Sequence, residues 1–208
     1  MRHTMKQLSA LWVVSLALLF SFFTVPAQAA PAFQDGAVDF IATFTKREPD
    51  QRMRDLVEQV YVNATLRGLD PTFVLGMIAQ ESGFNPKARS GMGAKGYMQV
   101  IPSYHREKIR GRDIFDVDTN IDVGTSILKE YLDKTGSLRK ATRMYSGGAS
   151  RYYQKIVAFQ NAVKIHISSY TPNDTSESLD EIQHLIKQIK HSEKFDDAIV
   201  KYVAASES

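Results

Sequence analysis

Apolar residues between Asp50 and Val163 recur at steps of three and four, and the runs they form are closed by capping residues and glycines. That spacing restricts the chain to a mainly α fold. Met53, Leu56, Val57, Val60, Tyr61 and Ala64 share one helical face, which Gly68 ends. Asp70 can cap the next helix, Pro71 fits its first turn and Gly83 offers a left-handed stop. A short helix is expected around Ser103 to Ile109, after Pro102. Thr119 or Asn120 can cap a longer helix that carries Ile121, Gly124, Ile127, Leu128, Tyr131 and Leu132 on one side and stops at Gly136. Ser137 caps another, with Leu138, Ala141 and Tyr145 on its face and Gly147-Gly148 at its end. A further helix runs from Arg151 to about Val163 and shows Tyr153, Ile156, Val157 and Phe159. The one candidate strand is a short piece near Ile165 to Ser169.

The ends of the chain differ from this middle. Arg2 and Lys6 precede an apolar run from Leu8 to Val25, and Ala27-Gln28-Ala29 supplies small residues for cleavage, so residues 1–29 read as an export signal. The same run is long enough to act as a marginal uncleaved membrane anchor, against which Pro26 and the alanines behind it argue. Cleavage would leave no membrane span and a periplasmic or exported protein. Residues 30–49 read as a loosely packed leader with an apolar patch from Val38 to Ile41, and residues 50–170 as the main domain. Residues 171–208 read as an acidic linker and an amphipathic helical tail, in which Leu179, Ile182, Ile186 and Ile189 follow a 3, 4, 3 spacing. That helix would dock on its own domain or pair with a partner.

Charge follows the same division. Residues 30–170 hold 20 Lys+Arg against 15 Asp+Glu, while residues 171–208 hold 4 against 8. A mildly basic domain suits an anionic polymer, but its cations are interleaved with acids, which does not support nucleic-acid binding. The chain has no cysteine, excluding disulfides, thiolate catalysis and cysteine-ligated zinc. Asp113, Asp116, Asp118 and Asp122 lack the Gly and terminal Glu of a calcium-binding hand loop and read as turn and helix-start residues. His105, His166, His184 and His191 show no zinc-ligand spacing. Neither a metal nor a cofactor is expected.

Glu81 is the residue with chemical content. Val74, Met77 and Ile78 lie within roughly 60° of it around the helix, so the carboxyl shares an apolar stripe. Desolvation and the negative end of the helix dipole both favour its neutral form. Such an environment makes a general acid. Taken alone, a Glu at a helix end could also bend out to water or meet a buried Arg. Beyond it, Gly91 to Gly96 matches the dinucleotide pattern G-x-G-x-x-G, but Asn85 to Ser90 is no strand and Pro102 follows shortly. The required strand and helix are missing, so the match is a decoy.

The same segment carries a resemblance. Glu81-Ser82, Ser90, Gly93-Ala94, Gly96 and Met98-Gln99 resemble the Glu-Ser and Gly-Leu-Met-Gln motifs of the soluble lytic transglycosylases, relatives of goose-type lysozyme. Asn120 with its helix resembles the family's next element, Met144 to Gly148 resembles its Ala-Tyr-Asn-x-Gly motif, and Tyr153 falls where the family has a Tyr. Tyr97 in place of Leu and Ser146 in place of Asn depart from the pattern. The resemblance covers Gln51 to Val157.

It implies a lysozyme-like single domain with a helical tail, acting on the glycan strands of peptidoglycan. Glu81 would be the catalytic acid and then base in cleaving the bond between N-acetylmuramic acid and N-acetylglucosamine, leaving 1,6-anhydromuramyl ends. Ser90, Met98, Gln99, Tyr145, Ser146 and Tyr153 would bind substrate, Tyr145 orienting Glu81 or touching the sugar. Family habit adds a secretion, pilus or flagellar assembly as partner. A hydrolytic muramidase of the same fold and a glycan-binding scaffold without activity are the alternatives.

Overall fold

The computed structural model describes residues 29–170 together with His184 and Lys187. Contacts divide the chain into Met1–Phe33 and Gln34–Ser208, and the packing below belongs to the second unit. The expected export signal, apart from Ala29, lies outside the described residues, as does the expected tail apart from those two helical positions. Among the described residues the secondary structure is seven α-helices, a 3₁₀ turn and two isolated bridges, with no extended strand. None of these helices is long and apolar enough to cross a membrane.

Helix α1 (Ala29–Thr45) corrects the expectation of a loose leader over 30–49. Ala37, Val38, Phe40, Ile41, Ala42 and Phe44 are all buried. Phe44 meets Phe84 and Phe159 edge to face at 5.1 and 5.8 Å, and Phe40 meets His166 at 5.7 Å. Aromatic burial of this extent anchors a helix firmly. Phe33, Ala37, Phe40 and Phe44 recur at steps of four, three and four, a helical period that the short patch from Val38 to Ile41 obscured.

Helix α2 (Gln51–Leu66) starts at Asp50, whose side chain accepts a hydrogen bond from the Met53 amide at 3.0 Å, and buries the expected Met53, Leu56, Val57, Val60 and Ala64. Helix α3 (Pro71–Ser82) has Asp70 accepting from the Thr72 amide at 2.8 Å, Pro71 in its first turn and a left-handed Gly83, as its sequence requires. It is the central helix: every residue from Thr72 to Ala79 is buried. A Cβ at Gly76 would lie 2.7 Å from the Ile156 carbonyl oxygen, so glycine permits the close crossing of α3 and α7.

A loop with bridges at Arg89–Lys95 and Lys95–Val100 leads to the 3₁₀ turn Pro102–Tyr104 and helix α4 (Arg106–Ile109). Helices α5 (Val117–Thr135), α6 (Leu138–Tyr145) and α7 (Tyr152–Ser169) complete the domain. Two expectations are corrected here. Helix α5 begins at Val117, and Thr119 and Asn120 are buried within it rather than capping it. The candidate strand near Ile165 is the last part of α7, where Ala162, Val163 and His166 continue the buried helical face.

Candidate active site

A groove of about 440 Å³ runs between the C-terminal end of α3, the bridged loop, α5 and the end of α6. Glu81 projects into it from the penultimate position of α3. Burial pushes its carboxyl up to about 7, although a hydrogen bond from Tyr152 pulls the other way. The Tyr152 hydroxyl donates to Glu81 Oε1. Burial and the neighbouring Glu81 hold the Tyr152 phenol well above its ordinary pKa, so it remains a donor. Among the described residues lining the groove, Glu81 is the only carboxylate.

Ser90, Gln99, Tyr145 and Ser146, all expected site residues, line this groove. Ser90 Oγ accepts from the Ala94 amide at 3.1 Å and shapes the turn. Gln99 has a left-handed backbone, φ 48°, and its side-chain amide donates to the Gly96 carbonyl at 2.9 Å. A non-glycine residue in that region is held there by its surroundings. Ser146 closes α6 and donates to the Arg143 carbonyl at 3.2 Å. Tyr145 does not reach Glu81 through a hydrogen bond; its hydroxyl donates to the Met98 carbonyl at 2.8 Å and ties α6 to the loop.

Met98 and Tyr153 lie elsewhere than expected. Met98 is fully buried, and a Cβ at Gly124 would lie 2.5 Å from its sulfur, so its side chain fills the core behind the groove. Tyr153 faces a second cavity and packs against Phe73, with ring centroids 6.2 Å apart. The phenol on the acid is its neighbour Tyr152. Helical spacing carried that signal, since Tyr152, Ile156, Phe159 and Val163 follow steps of four, three and four on the buried face of α7.

Asn120 also escaped the sequence reading as a structural hub. Its side chain accepts from the Met98 amide at 2.8 Å and donates to the carbonyls of Ile114 and Lys95 at 2.8 and 3.0 Å. It is fully buried and fastens the bridged loop to α5. At Gly96, where φ is 75°, a Cβ would lie 2.2 Å from its amide nitrogen, so glycine is needed for conformation and for space. Met92 and Tyr104 line the groove with largely exposed side chains, and His105 joins them. Two of the four aspartates hold the fold, Asp113 accepting from the Phe115 amide at 2.9 Å and Asp122 pairing with Arg67 and Arg112, while Asp116 and Asp118 stand at the start of α5, Asp116 without a side-chain capping bond. No cluster of His, Asp and Glu suited to a metal occurs among the described residues.

Residues 60–167 match the family described as Transglycosylase SLT domain. The chain belongs to this family. Over 83 residues it is 36% identical to the transglycosylase of Enterobacteria phage PRD1, covering 40% of this chain and 31% of that protein. Over 149 residues it is 30% identical to membrane-bound lytic murein transglycosylase C of Yersinia enterocolitica, covering 62% of this chain and 41% of the relative. The SLT-domain chain thus spans less than half the length of these curated relatives. Among solved structures, it aligns with an inactive mutant of lytic transglycosylase Slt from Pseudomonas aeruginosa at 24% identity and a TM-score of 0.41, covering 64% of this chain and 22% of that one. The 70 kDa soluble lytic transglycosylase of Escherichia coli aligns at 18% identity and a TM-score of 0.43, covering 77% and 28%.

Proposed function

We propose that this SLT-domain protein is a peptidoglycan lytic transglycosylase. The observation that carries the reading is a partly buried carboxyl, the one acid among the described groove residues, pushed up to about 7 by desolvation and accepting a hydrogen bond from a phenol. Protonated, Glu81 donates to the leaving glycosidic oxygen. As a carboxylate it then takes the proton from the muramyl 6-hydroxyl while that oxygen attacks its own anomeric carbon, and the proton returns Glu81 to its starting state. The attacking hydroxyl comes from the substrate, so no water needs a second base. The acetamido group of the substrate can stabilise the oxocarbenium-like centre.

Hydrolysis by an inverting route uses a second carboxylate roughly 6.5–9.5 Å across the cleft. The lack of another acid among the described groove residues favours the transglycosylase over a muramidase. Of the substrate-binding expectations, Ser90, Gln99, Tyr145 and Ser146 are kept, and Tyr152 is added as the residue that orients the acid. The protein would act in the periplasm or outside the cell, where a secretion, pilus or flagellar assembly is a candidate partner.

Mass spectrometry of digested sacculi tests the reaction. The expected products carry 1,6-anhydromuramyl ends; reducing muramyl ends would establish the muramidase instead. Binding to sacculi with no release at any pH would establish the scaffold.

A further inference from the structure

The excess positive charge of the domain is gathered in one stretch. Residues 82–112 hold seven Lys+Arg against a single acid, Glu107, whereas residues 30–81 hold five against eight and residues 113–170 eight against six. Within that stretch Lys108 pairs with Glu130 and Arg112 with Asp122. Lys87, Arg89 and Lys95 have no carboxylate partner among the described residues. They converge instead on the Phe115 ring, with the Lys87 and Lys95 ammonium groups 5.1 and 5.8 Å from its centre and the Arg89 guanidinium 4.3 Å from it. The face of an aromatic ring attracts a cation, so one ring gathers three like charges. It offsets only part of their mutual repulsion, and an anion would offset the rest.

The cluster faces away from the groove. Arg89 and Lys95 stand opposite one another in an antiparallel bridge, and their neighbours Ser90 and Ala94 line the groove. Side chains alternate between the two sides of such a ladder, and none of Lys87, Arg89, Lys95 and Phe115 lines the groove. Lys87 and Arg89 are exposed, so the charges lie on an outer surface. Asp113 and Asp116 flank Phe115 in the chain, but Asp113 accepts from the Phe115 amide at 2.9 Å and neither pairs with the three cations. Three cations spread over one outer face match a plane of phosphates, which an anionic lipid surface supplies. Docked in this way, the protein would keep its groove open on the other side of the loop.

We propose that Lys87, Arg89 and Lys95 dock this protein on a membrane through the phosphates of anionic lipid headgroups. The docking is independent of the reaction at Glu81. Its test is sedimentation of the full chain with vesicles of phosphatidylcholine alone and with vesicles containing roughly 30% phosphatidylglycerol, at about 0.1 M salt. The apolar run from Leu8 to Val25 would favour both kinds of vesicle, so the quantity read is the ratio of the two affinities. The parent should prefer the anionic vesicles. Replacing Lys87, Arg89 and Lys95 together by Gln should lower the ratio about a hundredfold, since each cation near an anionic surface contributes about fivefold. Lys87→Gln alone changes one exposed side chain and should lower it about fivefold, which keeps the test decisive if the triple variant misfolds. Replacing Lys87 and Lys95 by Arg should preserve the ratio. Equal affinity for the two kinds of vesicle, or a preference that survives the triple replacement in a folded variant, would overturn the proposal. Binding of inorganic phosphate without any preference between vesicles would overturn it in favour of a small-anion site. A lack of 1,6-anhydromuramyl ends from sacculi would remove the proposed reaction without changing these ratios.

Discussion

Glu81 and Asp122 are both partly buried carboxylates on helices beside the same loop system, yet their surroundings drive them in opposite directions. At Glu81 burial dominates and raises the carboxyl to about 7, with only a neutral phenol to oppose it. At Asp122 burial also pushes upward, but hydrogen bonds and attraction from Arg112 and Arg67, at 2.8 and 2.5 Å, outweigh it and hold the group below its ordinary value. The difference lies in the partner. A cation turns a carboxylate into a permanent clamp, whereas a phenol leaves it able to exchange its proton.

The largest effect expected is on chemistry. Glu81→Gln should lower the rate of anhydromuramyl release by about 10³-fold or more, the scale of a lost acid–base group, with an unaltered circular dichroism spectrum. Asp122→Asn should leave that rate within about twofold, as expected of a residue remote from the reacting atoms. A large loss of activity in the second variant would erase the contrast between them.

The same contrast predicts opposite responses of stability to pH. The Glu81 carboxyl stays protonated in the native state between its ordinary value of 4.5 and about 7, while the unfolded chain loses the proton. Native protein binds more protons across that window, so stability falls as pH rises through it, by on the order of 3 kcal/mol. Asp122 behaves in reverse: its contribution is present above the ordinary carboxylate value and is lost as pH falls through its lowered native one. Urea melts of parent and Glu81→Gln protein from pH 4 to 8 should differ in slope over the Glu81 window alone.

Tyr152→Phe sharpens the role of the partner. Without the phenol the Glu81 carboxyl should rise further, moving the alkaline limb of the pH–rate profile upward and lowering kcat by about tenfold or more, because a hydrogen bond to a charged group is lost. A merely structural Tyr152 would change melting temperature without moving the limb. The smallest effect belongs to Asp122→Asn, which should cost about 1 kcal/mol in a urea melt at pH 7, since the pair is partly solvated.

Much of the site was legible because its signals are local. Asp70, Pro71 and Gly83 specify where α3 begins and ends, and helical spacing then puts Glu81 on the apolar side. Ser90, Gln99, Tyr145 and Ser146 fall in motifs that surround the same groove. Met98 and Tyr153 were misread because a motif records that a residue belongs near a site without recording which way it points. For Met98, the space left by Gly124 turns the side chain into the core.

The sequence by itself determined most of the helices, the caps of α3 and α6 and the placement of one carboxylate on an apolar stripe, because these depend on periodicity and on groups a few positions apart. Tertiary structure alone decided that α1 is part of the core, that Asn120 fastens the loop, and that Tyr152 reaches an acid 71 positions away. Those choices follow from the close crossing of α3 and α7 at Gly76 and from the burial that side chains acquire only when helices pack. The raised pKa of Glu81 depends on both: helical spacing turned the carboxyl inward, and packing removed its water.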